Sequence, residues 1–560
     1  MKISRRHAIA ALAGAPALLL PRKSAAEDTL PAIDKGPFEG SAEALRTYEI
    51  PQWFQDAKFG MWAHWGPQSA AEDGDWYARN IYIQGSDQYK YHVATYGHPS
   101  KFGHKDICQT WKGDKFDPDH LMSLYKKAGA KYFMSMGVHH DNFDLWNSKY
   151  QPRWNAVATG PKKDIVGLWK KAADRYGLKF AVSEHLSNSF NWLGVSHLSD
   201  TSGPLAGVPY DGADPQYGDL YHNITQEYLN PPRGAGRGPG GGSGRGGEGF
   251  AGVAGGSGRG AGGGSGRGGG RGPVEPGPPS MSRNAPPEWK LEYFQRIKDL
   301  IDNYHPDLLY TDGGIPFGDI GYKLVTHFYN VNAKLHGGKV QGVYTSKTRR
   351  DCETGTCALD IERGVANQIM PYAWQTDTCI GSWHYKKDRS YKSPKNVIDM
   401  LCDIVSRNGN LMLNIPLPNS GMPDDRELAV IDGITKWMAV NSEGIYATRP
   451  WKILGDGPGL DSASGPGFNE NNRKDLTASD VRFTTKGSML YAFVMGWPEK
   501  EASIPALAVG GKNNVPRIRN VELLGHSGKV KFTQDQAGFK AQMPEQKPSD
   551  HAITLKIALA

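Results

Sequence analysis

A unit of amphipathic helix, glycine or proline turn and short apolar strand recurs along the chain. In one copy, Asp117 and Pro118 open a helix that runs to Ala128, and Gly129 ends it before an apolar strand over 131–137. Further copies have helices over 164–176 and 288–304, with strands over 179–183 and 307–311. Helices that alternate with continuous apolar strands predict a parallel sheet covered by helices.

Two domains are predicted from this pattern. Residues 44–449 have no glycine-rich phosphate fingerprint after the first strand, which favours a (β/α)8-like (TIM-type) barrel over a doubly wound α/β sheet. Beyond about Pro450 the helical period stops, and short apolar runs lie between glycine and proline turns at 488–495, 519–524, 530–533 and 552–557. We therefore expect a small C-terminal all-β sandwich over 450–560.

Residues 1–26 have the composition of an export signal. A basic head with Arg5 and Arg6 precedes an apolar run from Ala8 of about 13 residues, which is too short to span a bilayer comfortably. Small residues at 24–26 suit cleavage, and the paired arginines resemble a twin-arginine signal, with an ordinary secretory signal as the alternative. The sequence thus predicts a periplasmic or extracellular protein that has no membrane attachment after signal removal.

Residues 231–287 are almost entirely Gly, Arg, Ser and Pro, and 24 of the 50 residues over 231–280 are glycine. Such a segment buries too little apolar surface to offset its ordering entropy, so a disordered insertion within the barrel is predicted. Alternating Arg and Gly is also typical of nucleic-acid binders, but a single aromatic, Phe250, and the expected export favour a flexible loop. The signal carries a charge of +5 and the insertion +4, so the rest of the +7 chain is nearly neutral at −2, and no nucleic-acid partner is expected.

Five cysteines, an odd number, do not form a disulfide framework in a chain of 560 residues. Cys352 and Cys357 either form one local bridge after export or are two unrelated thiols. A zinc site built on them is disfavoured because no second closely spaced pair of cysteines or histidines completes it.

Polar side chains follow each of the first four predicted barrel strands. They are His64, then His139, His140 and Asp141, then Glu184 and His185, and finally Asp312. In a barrel the active site lies where the strands end, so these side chains are expected to meet. With Trp65, Trp76, Tyr77 and Trp146 nearby in sequence, the pattern favours a sugar-binding pocket, because flat rings cover C–H faces while polar groups bind hydroxyls.

A metal site is the alternative interpretation of the same residues. His64, His139, His140 and His185 could converge as zinc or iron ligands. Adjacent residues of a strand point to opposite faces, so His139 and His140 cannot both bind one ion unless the strand ends before them. The sugar pocket is preferred.

Six ordered motifs resemble the α-L-fucosidases of glycoside hydrolase family 29. They are KFGMWAHWG, FDPDHLMSLYKKAGAKYF, VHHDNFDLWNS, DLLYTDGG, NGNLMLNIPLPNSG and NSEGIYATRPW, and the match extends over about residues 44–451, interrupted by the glycine-rich insertion. The resemblance implies a (β/α)8-like domain, a C-terminal β-sandwich and a fucosylated oligosaccharide or glycoconjugate substrate. It also implies retaining exo-hydrolysis of terminal α-L-fucose with no metal or other cofactor.

The same resemblance assigns roles to two carboxyl groups. Asp312, which ends a strand before two glycines, matches the family's nucleophile. Glu362 occupies a place similar to that of the acid/base, with Glu353, Asp360 and Glu184 as competitors. Retention requires the two carboxyl groups to lie about 5 Å apart.

The substrate-binding residues are carried over in the same way. The resemblance implies sugar contacts from His64, Trp76, His139, His140 and His185, and the strand-end pattern adds Trp65. Asp75 stands where the family usually has glutamate, and Lys347, Arg349 and Arg350 are candidates for its binding arginine.

Two departures from the family motifs leave other functions open. Gln375 stands where the family often has glutamate, and His384 where it often has glycine. A fucose-binding protein without catalysis, or an exo-glycosidase for a related sugar such as α-L-galactose, therefore remains an alternative. The oligomeric state is not predicted.

Overall fold

The computed structural model describes residues 30–224, 285–460 and 469–560. The predicted export signal and the predicted insertion up to residue 284 lie outside these ranges. Pro287, placed at the end of the insertion, is instead the first residue of a helix, because a proline at this position needs no hydrogen-bond partner for its nitrogen. The insertion boundary predicted there is wrong by a few residues.

Eight parallel strands form the first domain, in the order β6-β5-β4-β3-β2-β1-β8-β7. They are β1 Phe59–Ala63, β2 Tyr132–Val138, β3 Lys179–Glu184, β4 Leu308–Thr311, β5 Val343–Ser346, β6 Ala358–Leu359, β7 Trp374–Cys379 and β8 Gly409–Asn414. A parallel bridge between Asp360 and Gln375 joins β6 to β7 and nearly closes the ring. The predicted (β/α)8-like barrel is therefore confirmed.

Fourteen α-helices occur among the described residues. They are α1 Ala42–Leu45, α2 Gln52–Ala57, α3 Tyr77–Asn80, α4 Asp87–Thr95, α5 His104–Thr110, α6 Pro118–Lys127, α7 Ile165–Arg175, α8 Ser189–Trp192, α9 Gly218–Tyr221, α10 Pro287–Tyr304, α11 Asp319–Leu335, α12 Arg349–Glu353, α13 Pro394–Ser406 and α14 Asp425–Asn441. The side chains of Asp117 and Asp164 accept hydrogen bonds from backbone amides in the first turns of α6 and α7, as N-caps do. Within the described ranges, no helix combines the length and apolar character needed to cross a membrane.

The regular alternation of helix and strand fails on one side of the barrel. Between β5 and β6 the connection contains only the five-residue α12, and the fully described segment 360–373 between β6 and β7 has no helix. These short connections leave Lys347 and Glu362 in loops at the carboxyl ends of the strands.

The C-terminal domain consists of two antiparallel sheets, ordered β13-β16-β11-β10-β9 and β12-β15-β14. Its strands are β9 Arg449–Asp456, β10 Val481–Lys486, β11 Met489–Val494, β12 Glu501–Ile504, β13 Ile518–Leu523, β14 Phe532–Asp535, β15 Gly538–Gln542 and β16 Ile553–Leu559. Phe483 and Ile557 of one sheet share a core with Ile504 and Phe539 of the other, which confirms the predicted sandwich. The strand expected over 530–533 begins two residues later.

Buried charges join the two domains. Asp403 on α13 accepts a hydrogen bond of 2.5 Å from Arg482 Nε on β10, and Arg407 Nη2 lies 3.2 Å from the same carboxylate oxygen. Phe493 and Met495 extend the barrel core into the second domain.

The two alternatives for Cys352 and Cys357 are resolved in favour of a disulfide. Cys108, Cys379 and Cys402 are free and buried. The bridge closes a short loop that contains part of α12, next to the carboxyl end of β5.

Candidate active site

Asp312 follows β4 directly and lies at the carboxyl end of the barrel. Its Oδ1 accepts a hydrogen bond of 2.6 Å from Lys347 Nζ, and its Oδ2 lies 3.2 Å from His140 Nε2. The backbone amide of Asp312 donates to the carbonyl oxygen of Glu184, which fixes the turn. A Cβ added to Gly314 would lie only 2.5 Å from Thr348 Oγ1, so a larger residue here would have to displace the Thr348 side chain.

Glu362 faces Asp312 across Lys347. The ammonium group of Lys347, at the end of β5, also contacts Glu362 Oε2 and lies 3.8 Å from Asp377 Oδ2. Because one nitrogen contacts both carboxyl groups, the nearest oxygens of Asp312 and Glu362 are separated by at most about 5 Å. The structure thus brings these two predicted residues together at a spacing that suits a retaining glycosidase.

The electrostatic environment gives the two carboxyl groups different protonation states. Although burial opposes ionisation, the Lys347 ammonium and the His185 and His140 rings hold the pKa of Asp312 well below its usual value. Burial raises the pKa of Glu362 to about 7, against the opposing attraction of Lys347. Lys347 is partly buried, which opposes its charge, yet Asp312 and Glu362 hold its pKa well above the usual range. At neutral pH the site therefore combines an anionic Asp312 with a Glu362 that readily carries a proton.

The competing carboxyl groups lie elsewhere. Glu184 is fully buried and accepts hydrogen bonds from Thr311, Tyr293 and the amide of Leu186, so its oxygens are already used. Glu353 is exposed on α12 and pairs with Arg349.

Asp360 lies beneath the pocket and accepts a hydrogen bond of 2.7 Å from Gln375 Nε2. Gln375 in turn accepts one from Tyr132 Oη, so this departure from the family motif serves a buried network below Glu362. Of the candidates for a binding arginine, Lys347 lies in the site, whereas Arg349 and Arg350 are exposed.

Five imidazole rings line the pocket beside the carboxyl pair. They belong to His64, His139, His140, His185 and His384, with neighbouring ring centroids 4.5 to 5.3 Å apart. Both His139 and His140 face the pocket because β2 ends at Val138, before either residue. Within the described residues, His64, His139 and His185 form the one cluster whose ligand atoms lie close enough to hold a metal ion.

The aromatic residues around the pocket are mostly not those predicted from sequence, which were Trp65, Trp76, Tyr77 and Trp146. Trp62, Trp383 and Tyr310 surround His64 and His185, with the Trp62 centroid 4.7 Å from His64 and 5.0 Å from Tyr310. Trp192 packs on His140, at 5.5 Å. Strand alternation could have identified Trp62, because residues two apart on β1 share a face and His64 points into the barrel.

The prediction that Trp65 contacts substrate is wrong in this geometry. Trp65 is one residue out of phase with His64, so it points away from the pocket, packs on Trp111 and Phe116 and donates to the carbonyl oxygen of Pro418. Tyr77 and Trp146 are likewise buried outside the pocket, where they bond His92 and Asp299.

Trp76 and Asp75 lie at the edge of the pocket. Trp76 is half-buried and packs edge-on against Trp192. Asp75 accepts hydrogen bonds from the backbone amides of Trp383 and His384, and its Oδ1 lies 3.2 Å from His384 Nδ1. Asp75 therefore acts on the pocket through the His384 ring that it holds. The sequence analysis did not predict this role of His384.

A (β/α)8-like barrel that presents two carboxyl groups whose nearest oxygens are at most about 5 Å apart, beside an aromatic and polar pocket, defines the class of retaining glycoside hydrolases. A family model described as alpha-L-fucosidase matches residues 26–443, and a model of the alpha-L-fucosidase C-terminal domain matches residues 473–558. The chain belongs to the α-L-fucosidase family.

Similar proteins cover nearly the whole chain. The tissue alpha-L-fucosidase of Rattus norvegicus is 23% identical over 535 residues, which are 92% of this chain and 91% of that protein. The plasma alpha-L-fucosidase of Homo sapiens is 23% identical over 543 residues, with 92% and 90% covered. The structure of Thermotoga maritima alpha-fucosidase in complex with fucose matches with a TM-score of 0.64 at 21% identity, covering 93% of this chain and 100% of that chain.

Proposed function

We propose that the protein is a retaining exo-α-L-fucosidase that releases terminal α-L-fucose from fucosylated glycans through a covalent fucosyl-enzyme. The observation that carries this proposal is the pair Asp312 and Glu362, held by one ammonium group beside a pocket of imidazole and aromatic rings. Family membership, and relatives whose names state α-L-fucosidase activity, support the choice of sugar.

Asp312 is the proposed nucleophile. Its carboxylate attacks the anomeric carbon, the bond to the leaving oxygen breaks, and Glu362 donates its proton to that oxygen. The raised pKa of Glu362 keeps the proton available near neutral pH, whereas the lowered pKa of Asp312 keeps it ionised. In the second step Glu362, now a carboxylate, removes a proton from the water that releases fucose with its configuration retained.

The Lys347 ammonium faces one negative charge both in the free enzyme and in the covalent intermediate. In the free enzyme its ammonium faces the carboxylate of Asp312 and a protonated Glu362. In the intermediate Asp312 is a neutral ester and Glu362 carries the negative charge, so the ammonium still faces one carboxylate. We propose that Lys347 lowers the barrier of each step by stabilising whichever group is ionised, without any movement of the main chain.

The imidazole cluster is the proposed sugar-binding surface. His64 and His185 have buried ring nitrogens without a hydrogen-bond partner in the described part of the chain, and hydroxyl groups of a sugar can satisfy them. Trp383, which is partly exposed, offers flat apolar surface to C–H groups beside them, and the buried Trp62 and Trp192 pack against His64 and His140.

Replacing Asp312 with glycine tests the proposal. We expect the Asp312→Gly variant to hydrolyse an aryl α-L-fucoside about 10⁴-fold more slowly or worse, because the covalent step is lost. Added azide should restore release of the aryl group and give β-L-fucosyl azide, identified by NMR. Near-normal hydrolysis by the variant would exclude Asp312 as the nucleophile.

The wild-type reaction distinguishes the alternatives. NMR of the first product should show α-L-fucose, and an aryl α-L-galactoside should be hydrolysed more slowly than the fucoside. Binding of L-fucose without hydrolysis would identify a binding protein, and a β-configured first product would exclude retention.

We further propose that the protein acts outside the cytoplasm, in the periplasm or beyond. The composition of residues 1–26 supports this location, as does the Cys352–Cys357 disulfide, since such bridges persist mainly in oxidising compartments. Expression with residues 1–26 deleted should keep the enzyme in the cytoplasmic fraction; export without them would contradict the proposal.

A further inference from the structure

Three of the pocket histidines present ring nitrogens to the same small space. His64 is 3% exposed and both of its ring nitrogens are without a partner among the described residues, as is Nδ1 of the equally buried His185. One ring nitrogen from each of His64, His139 and His185 lies within 4.8 Å of the others. Three nitrogens that converge in this way form a potential ligand set for a metal ion.

The required adjustment is small. An ion held by bonds of about 2.1 Å in tetrahedral geometry brings its nitrogens to roughly 3.4 Å from one another, so the rings need inward shifts of about an ångström or somewhat more. All three residues follow barrel strands, which fixes their backbones, and rotation of the side chains supplies the shift.

Gln68 supports His139 as a ligand. Its Nε2 lies 2.7 Å from His139 Nδ1, while its buried Oε1 has no partner among the described residues. Turning this amide by 180° makes Oε1 the acceptor of a proton on Nδ1 and leaves the lone pair of Nε2 free. A histidine that binds metal usually has its other ring nitrogen held by such an acceptor.

We propose that His64, His139 and His185 bind one borderline divalent transition-metal ion, such as Co²⁺, Ni²⁺ or Zn²⁺, in the place that the sugar otherwise occupies. Three imidazoles and an open position are a ligand set that such ions accept, and Mg²⁺ or Ca²⁺, which prefer oxygen ligands, are not expected there. The ion is a competitor of the sugar and takes no part in its hydrolysis. The metal site stands on the geometry of the three rings, whereas competition with fucose rests on the proposed function.

Direct binding of cobalt tests the site without reference to activity. Untagged full-length protein, freed of metal with a chelator, is titrated with CoCl₂ while visible absorption and heat are recorded. We expect one ion per chain with an absorption band of imidazole-bound Co²⁺. His185→Phe and His139→Ala should each weaken binding at least tenfold, since each removes one of three ligands.

His120→Ala is the matched control, because His120 is exposed on α6 and should leave the titration unchanged. Circular dichroism and thermal unfolding check that each variant is folded, and the two ligand variants are independent, so loss of one protein leaves the other to decide. Unchanged cobalt affinity in either folded ligand variant, or no binding by the wild type, would overturn the metal site.

Inhibition kinetics then test competition. With an aryl α-L-fucoside, Zn²⁺ should raise the apparent KM without changing kcat, EDTA should reverse the effect, and L-fucose should weaken cobalt binding. Inhibition that lowers kcat alone would overturn the shared position. If the protein hydrolyses the fucoside but binds no metal, the metal site is wrong and the proposed function stands. If it binds metal but hydrolyses no fucoside, the proposed function is wrong and the metal site stands.

Discussion

The strand-end pocket and the core of the C-terminal sandwich both bury side chains, but they bury different kinds. The pocket contains Asp312, Lys347 and Glu362 together with imidazole nitrogens such as those of His64 that lack a partner among the described residues. The sandwich core consists of apolar side chains such as Phe539, and the fully described residues 475–560 contain no buried polar side-chain atom without a partner. Unpaired buried polar atoms cost stability and occur in several parts of the barrel domain, but those of His64 and His185 lie beside the carboxyl pair, where a ligand can satisfy them.

The interface between the two domains shows that buried charge alone does not make a site. Asp403 is more deeply buried than the pocket carboxyls, and Arg482, Arg407 and Arg473 surround it. Although burial opposes ionisation, these arginines hold the pKa of Asp403 well below its usual value. Asp403 is thus held by cations of the protein itself, whereas the pocket keeps ring nitrogens of His64 and His185 without a partner among the described residues.

Among variants that keep both carboxyl groups, Lys347→Met should have the largest effect on turnover. The variant leaves two carboxyl groups facing each other without the ammonium, so we expect kcat/KM to fall by about 10³-fold, a loss similar to that of a strong electrostatic contact in a transition state. The pKa of Asp312 should rise, because its principal cationic partner is gone, and the acidic limb of the kcat/KM profile should move to higher pH.

Arg349→Met is the control for this variant. It removes a cation two residues away whose side chain is 59% exposed and pairs with Glu353. We expect kcat/KM within about twofold of wild type, since exposed ion pairs contribute little. Equal losses in the two variants would show that the loop, and not the charge between the carboxyls, matters.

Asp403→Asn should lower stability without altering the chemistry. We expect the free energy of unfolding at pH 7, from urea denaturation, to fall by about 3 kcal/mol, because two buried arginines lose their anionic partner. The folded pKa of Asp403 is depressed, so its contribution is full above the ordinary pKa of about 3.9 and is lost as pH falls through the folded value. The difference between variant and wild type should therefore shrink in acid.

Asp432→Asn provides the comparison, because Asp432 and Lys436 form an exposed pair on α14. A change below about 0.5 kcal/mol is expected there. If Asp403→Asn instead reduced kcat with unchanged stability, the interface would belong functionally to the pocket and the contrast between them would fail.

The pH dependence of wild-type activity should follow Glu362. Burial raises the pKa of Glu362 to about 7, and proton donation requires the protonated form, so kcat/KM should decrease about tenfold per pH unit above that value. The lowered pKa of Asp312 places the acidic limb far below neutral pH. With an aryl α-L-fucoside, Glu362→Gln should lose activity and the alkaline limb, while Glu353→Gln retains both. An alkaline limb that survives in Glu362→Gln would assign the proton to another group.

The sequence predicted the positions of the histidines and of Asp312 because local rules determine them. Capping residues such as Asp117 and Asp164 mark where helices begin, and a polar residue after an apolar run marks the end of a strand. Trp65 was placed wrongly because nearness in sequence was used where strand phase decides which way a side chain points.

Other parts of the site depend on long-range contacts that no local pattern contains. Trp192 reaches the pocket from α8 and contacts His140. His384 reaches it from the loop after β7, although it lies hundreds of residues from its neighbour His64 in sequence. Strand β6, which lies next to β7, has only two residues, so no hydrophobic periodicity in the sequence could predict it. Lys347 was one of three basic candidates, and only the fold separates it from its exposed neighbours.

Ile557→Val is the smallest of these changes and tests the sandwich alone. Ile557 is fully buried on β16 and pairs with Leu490 and Val521, so removing one methylene should reduce the free energy of unfolding by about 1 kcal/mol. Leu559→Val, at the partly buried end of the same strand, should cost less. Neither variant should change KM or kcat for an aryl α-L-fucoside, since the sandwich core shares no side chain with the pocket. If Ile557→Val changed KM while thermal unfolding stayed the same, packing in the second domain would influence the position of the pocket residues. The sandwich would then contribute to function as well as to stability.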